Sequence, residues 1–271
     1  MDPSRIRSRR IRGVDDRALP ITDHLTELRR RIAWTVGAIT VGTMVSFNFA
    51  EQIFGFLLAP ATEALGAKNS QLQAIAPTEI FFTYIKCAVL SGFVLTLPVT
   101  FWQLWSFIAP GLYDNERHAI IPFVVCSTGL FAGGAIFGYQ FVFPVVFEFF
   151  SSWDNEWVVS AWTMREVFSL TTRLFLAFGI AFELPLFVFF LAITGIVSAK
   201  QLFAGTPYAV VAIFILGALL TPPDFVSQVL LAGPMIVLYL VGVGVAWLFE
   251  PKQRKERQAR RTGSGVAKRE D

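Results

Sequence analysis

Ile32–Ala50, IAWTVGAITVGTMVSFNFA, runs for nineteen residues without a charge, long enough for a helix to cross the roughly 30 Å hydrocarbon core of a bilayer. Comparable runs recur at about 83–107, interrupted by Pro98 and carrying Lys86, at 119–147 between Pro122 and Pro144, and at 167–193 with Arg173 and Glu183 inside. Two more, Tyr208–Leu220 and Phe225–Phe249, are separated only by TPPD. A membrane barrel would alternate polar and apolar residues over segments of about ten, and these runs do not. The pattern predicts an all-α polytopic membrane protein with six transmembrane helices. The last two spans are expected to be short, the fifth run, about thirteen residues, reaching only roughly 20 Å at 1.5 Å per residue. Such a mismatch thins the bilayer or is filled by partner helices.

Between the runs the periodicity changes. Ile21, Leu25, Leu28 and Ile32 repeat at spacings of four, three and four, which predicts a short amphipathic surface helix feeding the first span. QIFGFLLAP, at 52–60, is too short to span and is expected to pack at the interface. Thr163-Met-Arg-Glu166 and Ser198-Ala-Lys-Gln201 both read as capping boxes, in which side chains at the ends satisfy free helix amides. Residues 1–20 are expected to be a disordered basic arm, 21–250 a single membrane domain, and 251–271 a disordered charged tail.

Composition agrees with the spans: 54% of the residues are hydrophobic and the mean hydropathy is +0.57, more apolar surface than a water-soluble fold buries. Charge fixes the expected orientation. Nine arginines (Arg5, Arg7, Arg9, Arg10, Arg12, Arg17, Arg29, Arg30, Arg31) precede the first span, and eight basic residues follow the last, from Lys252 to Arg269. Short cytoplasmic segments carry such an excess, so both termini are expected in the cytoplasm, which requires an even number of spans. The segments after spans one and three then lie outside, where acidic residues prevail. With the basic residues confined to tails beside spans, anionic lipid headgroups account for the charge of +3 more simply than nucleic acid does. Cys87 and Cys126 fall inside apolar runs, away from metal-ligand spacing, and read as small packing residues. No phosphate loop, HExxH or GxSxG is present, and His24 and His118 alone offer little acid–base chemistry. Neither an enzyme nor a cofactor is implied.

Four motifs stand in order along the chain: DHLTELRRRI before span one, WSFIAPGLYDNERHAIIP between spans two and three, FELP in span four, and LLTPPDFVSQ at the turn into span six. Together they resemble TatC, the six-span receptor subunit of the twin-arginine translocase, over about Thr22 to Phe249. The resemblance implies a protein of the cytoplasmic membrane that recognises paired-arginine signal peptides on folded precursors. With TatA-like and TatB-like single-span partners, and copies of itself, it would export them on the proton-motive force.

Each motif residue also has a plainer reading. Glu27 either pairs with Arg30 or Arg31 one helical turn away or receives an incoming guanidinium; the resemblance assigns it to signal-peptide binding, with Arg29, Phe107 and Glu116. Glu116 equally suits a helix start, where Asp114 or Asn115 caps and the dipole favours an acid. Two carboxylates match two arginines, since each guanidinium forks onto a carboxylate through two bonds. Glu183 lies mid-span, where an ionisable group faces a partner, a cavity or a substrate path, unless Gln228, a serine or a threonine satisfies it. Asp224 is a ready cap in the TPPD turn, and Gln228, one turn on, should seek an acceptor on another helix; the resemblance makes these three a contact surface for partner helices. Pro60 and Pro110 are expected to shape loops. A small-solute permease using Glu183 as a proton carrier is the rival class, but it calls for internal repeats around a midplane site, which the sequence lacks.

The charge pattern yields a direct test. Cysteines placed at Ser4 and Thr262 should be shielded from an impermeant thiol reagent in intact cells, and one at Ser70 should react; labelling at Thr262 without labelling at Ser4 would refute an even number of spans.

Overall fold

The computed structural model describes residues 21–65, 71–108, 120–157, 160–220 and 225–267. Among these there is no strand, only an isolated parallel bridge between Gln73 and Thr163. The helices are α1 (Ile21–Phe47), α2 (Ala50–Ala64), α3 (Pro77–Leu95), α4 (Leu97–Ile108), α5 (Ile120–Phe137), α6 (Phe143–Ser151), α7 (Met164–Ala181), α8 (Leu184–Thr194), α9 (Ala199–Ala204), α10 (Thr206–Leu220) and α11 (Phe225–Ala267). A π-helical turn, Gly138–Val142, joins α5 to α6. Four stretches, Pro77–Leu95, Ile120–Ser151, Met164–Thr194 and Gln228–Phe249, are long and apolar enough to cross a membrane. The pair formed by α1 and α2 passes the same test but is bent by 89°, and Thr206–Leu219 is apolar but shorter. Each of the six apolar runs therefore falls on helix; the fifth is short, as expected, but the sixth is not, since Gln228–Phe249 has 22 residues and is long enough to cross.

Three details differ from the sequence reading. Residues 21–31 are not a separate surface helix, because α1 continues unbroken to Phe47; no glycine or proline lies between Ile21 and Val36 to interrupt it. The apolar stripe of this segment is partly open, with Leu25 57% and Ile32 53% exposed. At the other end α11 passes Pro251 and reaches Ala267, so the charged tail begins as helix. Its Lys, Arg, Glu and Gln residues are good helix formers, and Glu256 stands four residues before Arg260, a supportive spacing. Cys87 is buried as a packing residue, but Cys126 is exposed on α5.

In a bilayer apolar surface is no driving force between helices, so close packing and internal hydrogen bonds must hold them. The closest approach among α1 and α3 is at Gly42 and Gly92: a Cβ at Gly92 would stand 2.4 Å from the Thr43 backbone nitrogen, and one at Gly42 would stand 2.7 Å from the Gly92 carbonyl oxygen. Only hydrogen at both positions lets the backbones meet. The main core centres on Phe143, Phe147, Leu174, Phe178 and Leu231; a second gathers Phe101, Trp105, Phe131 and Phe190. The outside remains apolar, with Trp34, Met44, Val125 and Val237 all exposed, as a lipid-facing surface requires.

Pro60 does not shape a loop: it lies buried inside α2. A proline inside a helix has no N–H for the carbonyl four residues back, here that of Phe56. The Tyr139 hydroxyl, carried on the π turn, donates to this Phe56 oxygen at 2.7 Å, and the two rings stack with centroids 4.9 Å apart. The π turn itself stands directly before Pro144, which an unbroken i to i−4 ladder would not accommodate.

One end of the bundle is tied by Glu79. Its Oε2 accepts the Ile75 N–H at 2.9 Å before α3, and its Oε1 accepts the Arg165 N–H at 2.8 Å in the first turn of α7. Beside it Gln73 donates to the Trp162 carbonyl at 2.9 Å and accepts from the Met164 N–H at 2.8 Å. The starts of α3 and α7 are thereby held level. Of the two expected capping boxes, that of Ser198 and Gln201 forms in both directions, and Thr163 caps α7 by accepting from the Glu166 N–H.

The substitution Tyr139→Phe should lower stability by about 1 kcal/mol, the usual net worth of such a bond. In a Pro60→Ala background, where the backbone N–H of residue 60 returns to the Phe56 carbonyl, the same change should cost less. Unfolding of the purified protein in detergent, measured over this double-mutant cycle, checks the coupling.

Candidate functional site

At the head of α1 a small polar cluster faces the end of α4. Arg31 Nε donates to Glu27 Oε1 at 3.0 Å, and Nη2 of the same guanidinium meets the same oxygen. Arg31 Nη1 also reaches Gln103 Oε1 on α4 at 3.4 Å. Both partners of the ion pair are largely covered, with side chains 24% exposed for Glu27 and 17% for Arg31. Of the two pairings open to Glu27, the one with Arg31 forms, while Arg29 and Arg30 point outward and are exposed. Below the pair, His24 stacks on Phe107 with ring centroids 4.4 Å apart and planes 15° from parallel.

The geometry follows from helix periodicity. Glu27 and Arg31 are four apart on α1, and Gln103 and Phe107 four apart on α4, so each pair shares a face. Trp105, between the latter two, points to the opposite side of α4. There it is buried, and its indole Nε1 donates to Ser127 Oγ of α5 at 2.8 Å, with Ser127 wholly covered.

Glu183 stands beside that pair. It occupies the break between α7 and α8, where Pro185 in the first turn of α8 ends the ladder of α7. Its electrostatic neighbours are the Ser127 hydroxyl and the Phe131 backbone of α5, yet its Oε1 is buried with no hydrogen-bond partner. Gln228 does not satisfy it. The Gln228 amide instead donates to the Phe214 carbonyl of α10 at 2.9 Å, the cross-helix acceptor that an amide entering the apolar region needs. Pro110, Glu116 and Asp224 lie outside the described residues. The structure thus brings Glu27 and Phe107 to one end of the bundle and sets Glu183 and Gln228 apart, within the apolar region.

A family model described as Sec-independent protein translocase protein (TatC) matches residues 23–234. Proteins of that name from Magnetococcus marinus and Koribacter versatilis are 41% and 38% identical, the alignments covering 89% of this chain in both cases and 88% and 90% of theirs. The chain belongs to the TatC family. The fold agrees: a crystal structure of the twin-arginine translocase receptor TatC superposes with a TM-score of 0.74 at 33% identity, covering 83% of this chain and 98% of that one. TatC proteins are components of a protein translocase and not enzymes.

Gln103 and Ser127 lie outside the TatC motifs quoted above, and His24, inside the first of them, carried no role there. All three join their sites through contacts between helices distant in sequence. A polar residue inside an apolar run is a signal in itself, because it must find a partner, and Ser127 fits that rule; His24 and Gln103 become recognisable only once α1 and α4 are placed side by side.

Removing one member of the Trp105–Ser127 pair should be costlier than removing both. Ser127→Ala leaves the indole N–H buried and unpaired, a loss of about 1–3 kcal/mol; adding Trp105→Phe should recover part of it. Unfolding midpoints in detergent measure the difference.

Proposed function

We propose that this chain is the receptor and scaffold subunit of a twin-arginine translocase in the cytoplasmic membrane, with both termini in the cytoplasm. The observation that carries the reading is the half-buried Glu27 carboxylate beside Phe107 at the head of α1, in a chain of the TatC family. A signal peptide bearing two arginines binds at this end. Glu27 and Glu116 each take one guanidinium through a two-bond fork, Phe107 supplies apolar contact next to it, and Arg29 holds the helix at the headgroups.

Arg31 already occupies Glu27, so binding is an exchange of one guanidinium for another. Gln103 gives the displaced Arg31 an acceptor within reach, which lowers the cost of release. Lysine in the peptide serves poorly, since it keeps the charge but lacks the planar fork. Within the membrane, Glu183, Gln228 and Asp224 form the surface for TatA-like and TatB-like single-span partners. The unpaired Glu183 oxygen supports this, because a buried acceptor left open within one chain is satisfied by a donor from another. These partners and the proton-motive force carry the folded precursor outward. Pro110 shapes the loop that presents Glu116.

A single set of preparations tests both surfaces. Glu116→Gln should reduce crosslinking of a twin-arginine peptide roughly tenfold to a hundredfold, the loss of one charge-assisted bond of about 1.5–3 kcal/mol, and Glu27→Gln, which also frees the resident Arg31, should reduce it by less. Glu183→Ala should spare the peptide and weaken copurification of the single-span partners. Unchanged crosslinking in the Glu27→Gln/Glu116→Gln double variant, shown to be stably inserted, would return Glu27 to a helix-surface ion pair; loss of peptide binding in Glu183→Ala with normal partner assembly would overturn the division between the two surfaces.

A further inference from the structure

A second polar feature lies at the opposite end of the bundle, between α3 and α7. Lys86 and Arg173 are each nine residues beyond the first residue of their helix, Pro77 and Met164, roughly 14 Å along the axis. Because Glu79 holds the two helix starts level, both cations stand at the same depth inside candidate spans. Both are exposed. Among the described residues neither has a carboxylate within 4.0 Å, the ion pairs present being those of Arg31 with Glu27 and Arg165 with Glu166. They line one groove of about 370 Å³ together with Arg165, Thr83, Ser169 and Thr172, and the Thr172 hydroxyl is covered without a partner.

We propose that this groove binds the phosphate of an anionic phospholipid. An unpaired cation within the hydrocarbon is costly, and two at one depth on neighbouring helices need a shared counterion. Side chains on a helix tilt toward its N-terminus, so Lys86 and Arg173 both lean toward the interface from which a headgroup enters, and their long stems let the charges climb. Three cations against the single carboxylate of Glu166 leave an excess positive charge on the wall. A phosphodiester accepts from several donors at once, which suits a guanidinium, an ammonium and free hydroxyls better than a lone carboxylate does. The adjoining cavity of about 560 Å³ shares Ser169 and Arg173 with the groove, and Phe147, Phe150, Trp153 and Trp162 wall it. A charged mouth opening onto an aromatic chamber matches a phosphate with an acyl chain attached. On the proposed topology the lipid belongs to the outer leaflet.

Native mass spectrometry of the full chain, exchanged into equal amounts of dioleoylphosphatidylglycerol and dioleoylphosphatidylcholine, tests the proposal. Wild type should retain the phosphatidylglycerol about tenfold over the zwitterionic lipid, a preference of roughly 1.4 kcal/mol. The Lys86→Gln/Arg173→Gln double variant should bring the ratio near one, and Lys86→Arg/Arg173→Lys, which keeps both charges and reports on folding, should hold it. A double variant that keeps the wild-type preference overturns the proposal. So does a cysteine at Ser169 that, in native membranes, crosslinks to a single-span protein in preference to a photoactivatable phosphatidylglycerol.

Discussion

A polar group inside a bilayer has no water to turn to, and several of the hydrogen bonds between distant helices of this protein answer that constraint. Where Pro60 frees the Phe56 carbonyl, Tyr139 arrives from the π turn to donate to it. The Gln228 amide finds the Phe214 carbonyl, and the Tyr239 hydroxyl finds that of Leu202 near the end of α9. Glu79 serves two helix starts with one carboxylate. Backbone groups exposed at breaks and ends thus become the points at which separate helices are joined, a bond being worth making because the alternative is an unpaired group in hydrocarbon. Glu183 Oε1 departs from this rule, as do several buried hydroxyls, among them those of Thr100, Thr128 and Thr171; of these groups Glu183 is the ionisable one, and on the proposed function it is left for a donor from a partner helix.

The two polar sites share a single element. Gln103 and Phe107 on one face of α4 meet α1, and Trp105 on the other meets Ser127, which neighbours Glu183. Less than one turn of helix separates the group that touches Arg31 from the group that touches the intramembrane cluster. Because the Trp105 side is buried and hydrogen-bonded, α4 is not free to rotate by itself, and a displacement of α1 against α4 bears directly on the packing beside Glu183. Rigid elements of this kind carry coupling between sites when they have two arrangements to choose from.

Much of this was legible in the sequence, because lipid imposes long uncharged runs and each run falls on helix. The short fifth helix and the Ser198 box could be read off local spacing. Other features depended on information that spacing does not hold. Pro60 sits in a helix because the apolar residues around it pack against α3, α6 and α7, an effect of burial that overrides the turn preference of proline. The unbroken α1 hides the boundary between its surface segment and its span, since the change from polar to apolar alters the solvent and not the backbone. In the same way, Glu27 and Arg31 at i, i+4 were a visible pair, whereas Gln103 and His24 needed two helices to be brought together. Lys86 and Arg173 were each visible as charges inside apolar runs; that they stand level is a product of Glu79, eighty-six residues from Arg165.

The Arg31 pair also bears on what a signal arginine would gain on the proposed function. At Glu27 an incoming guanidinium would replace an existing one, so the Coulomb attraction gained and lost would be nearly the same, and only the difference between the old and new geometries would contribute. Arg31 meets Glu27 through one carboxylate oxygen, with Nε and Nη2 both on Oε1. A peptide arginine that engages both oxygens would gain the second bond, and Arg31 keeps Gln103 as an acceptor; the exchange is favourable but modest.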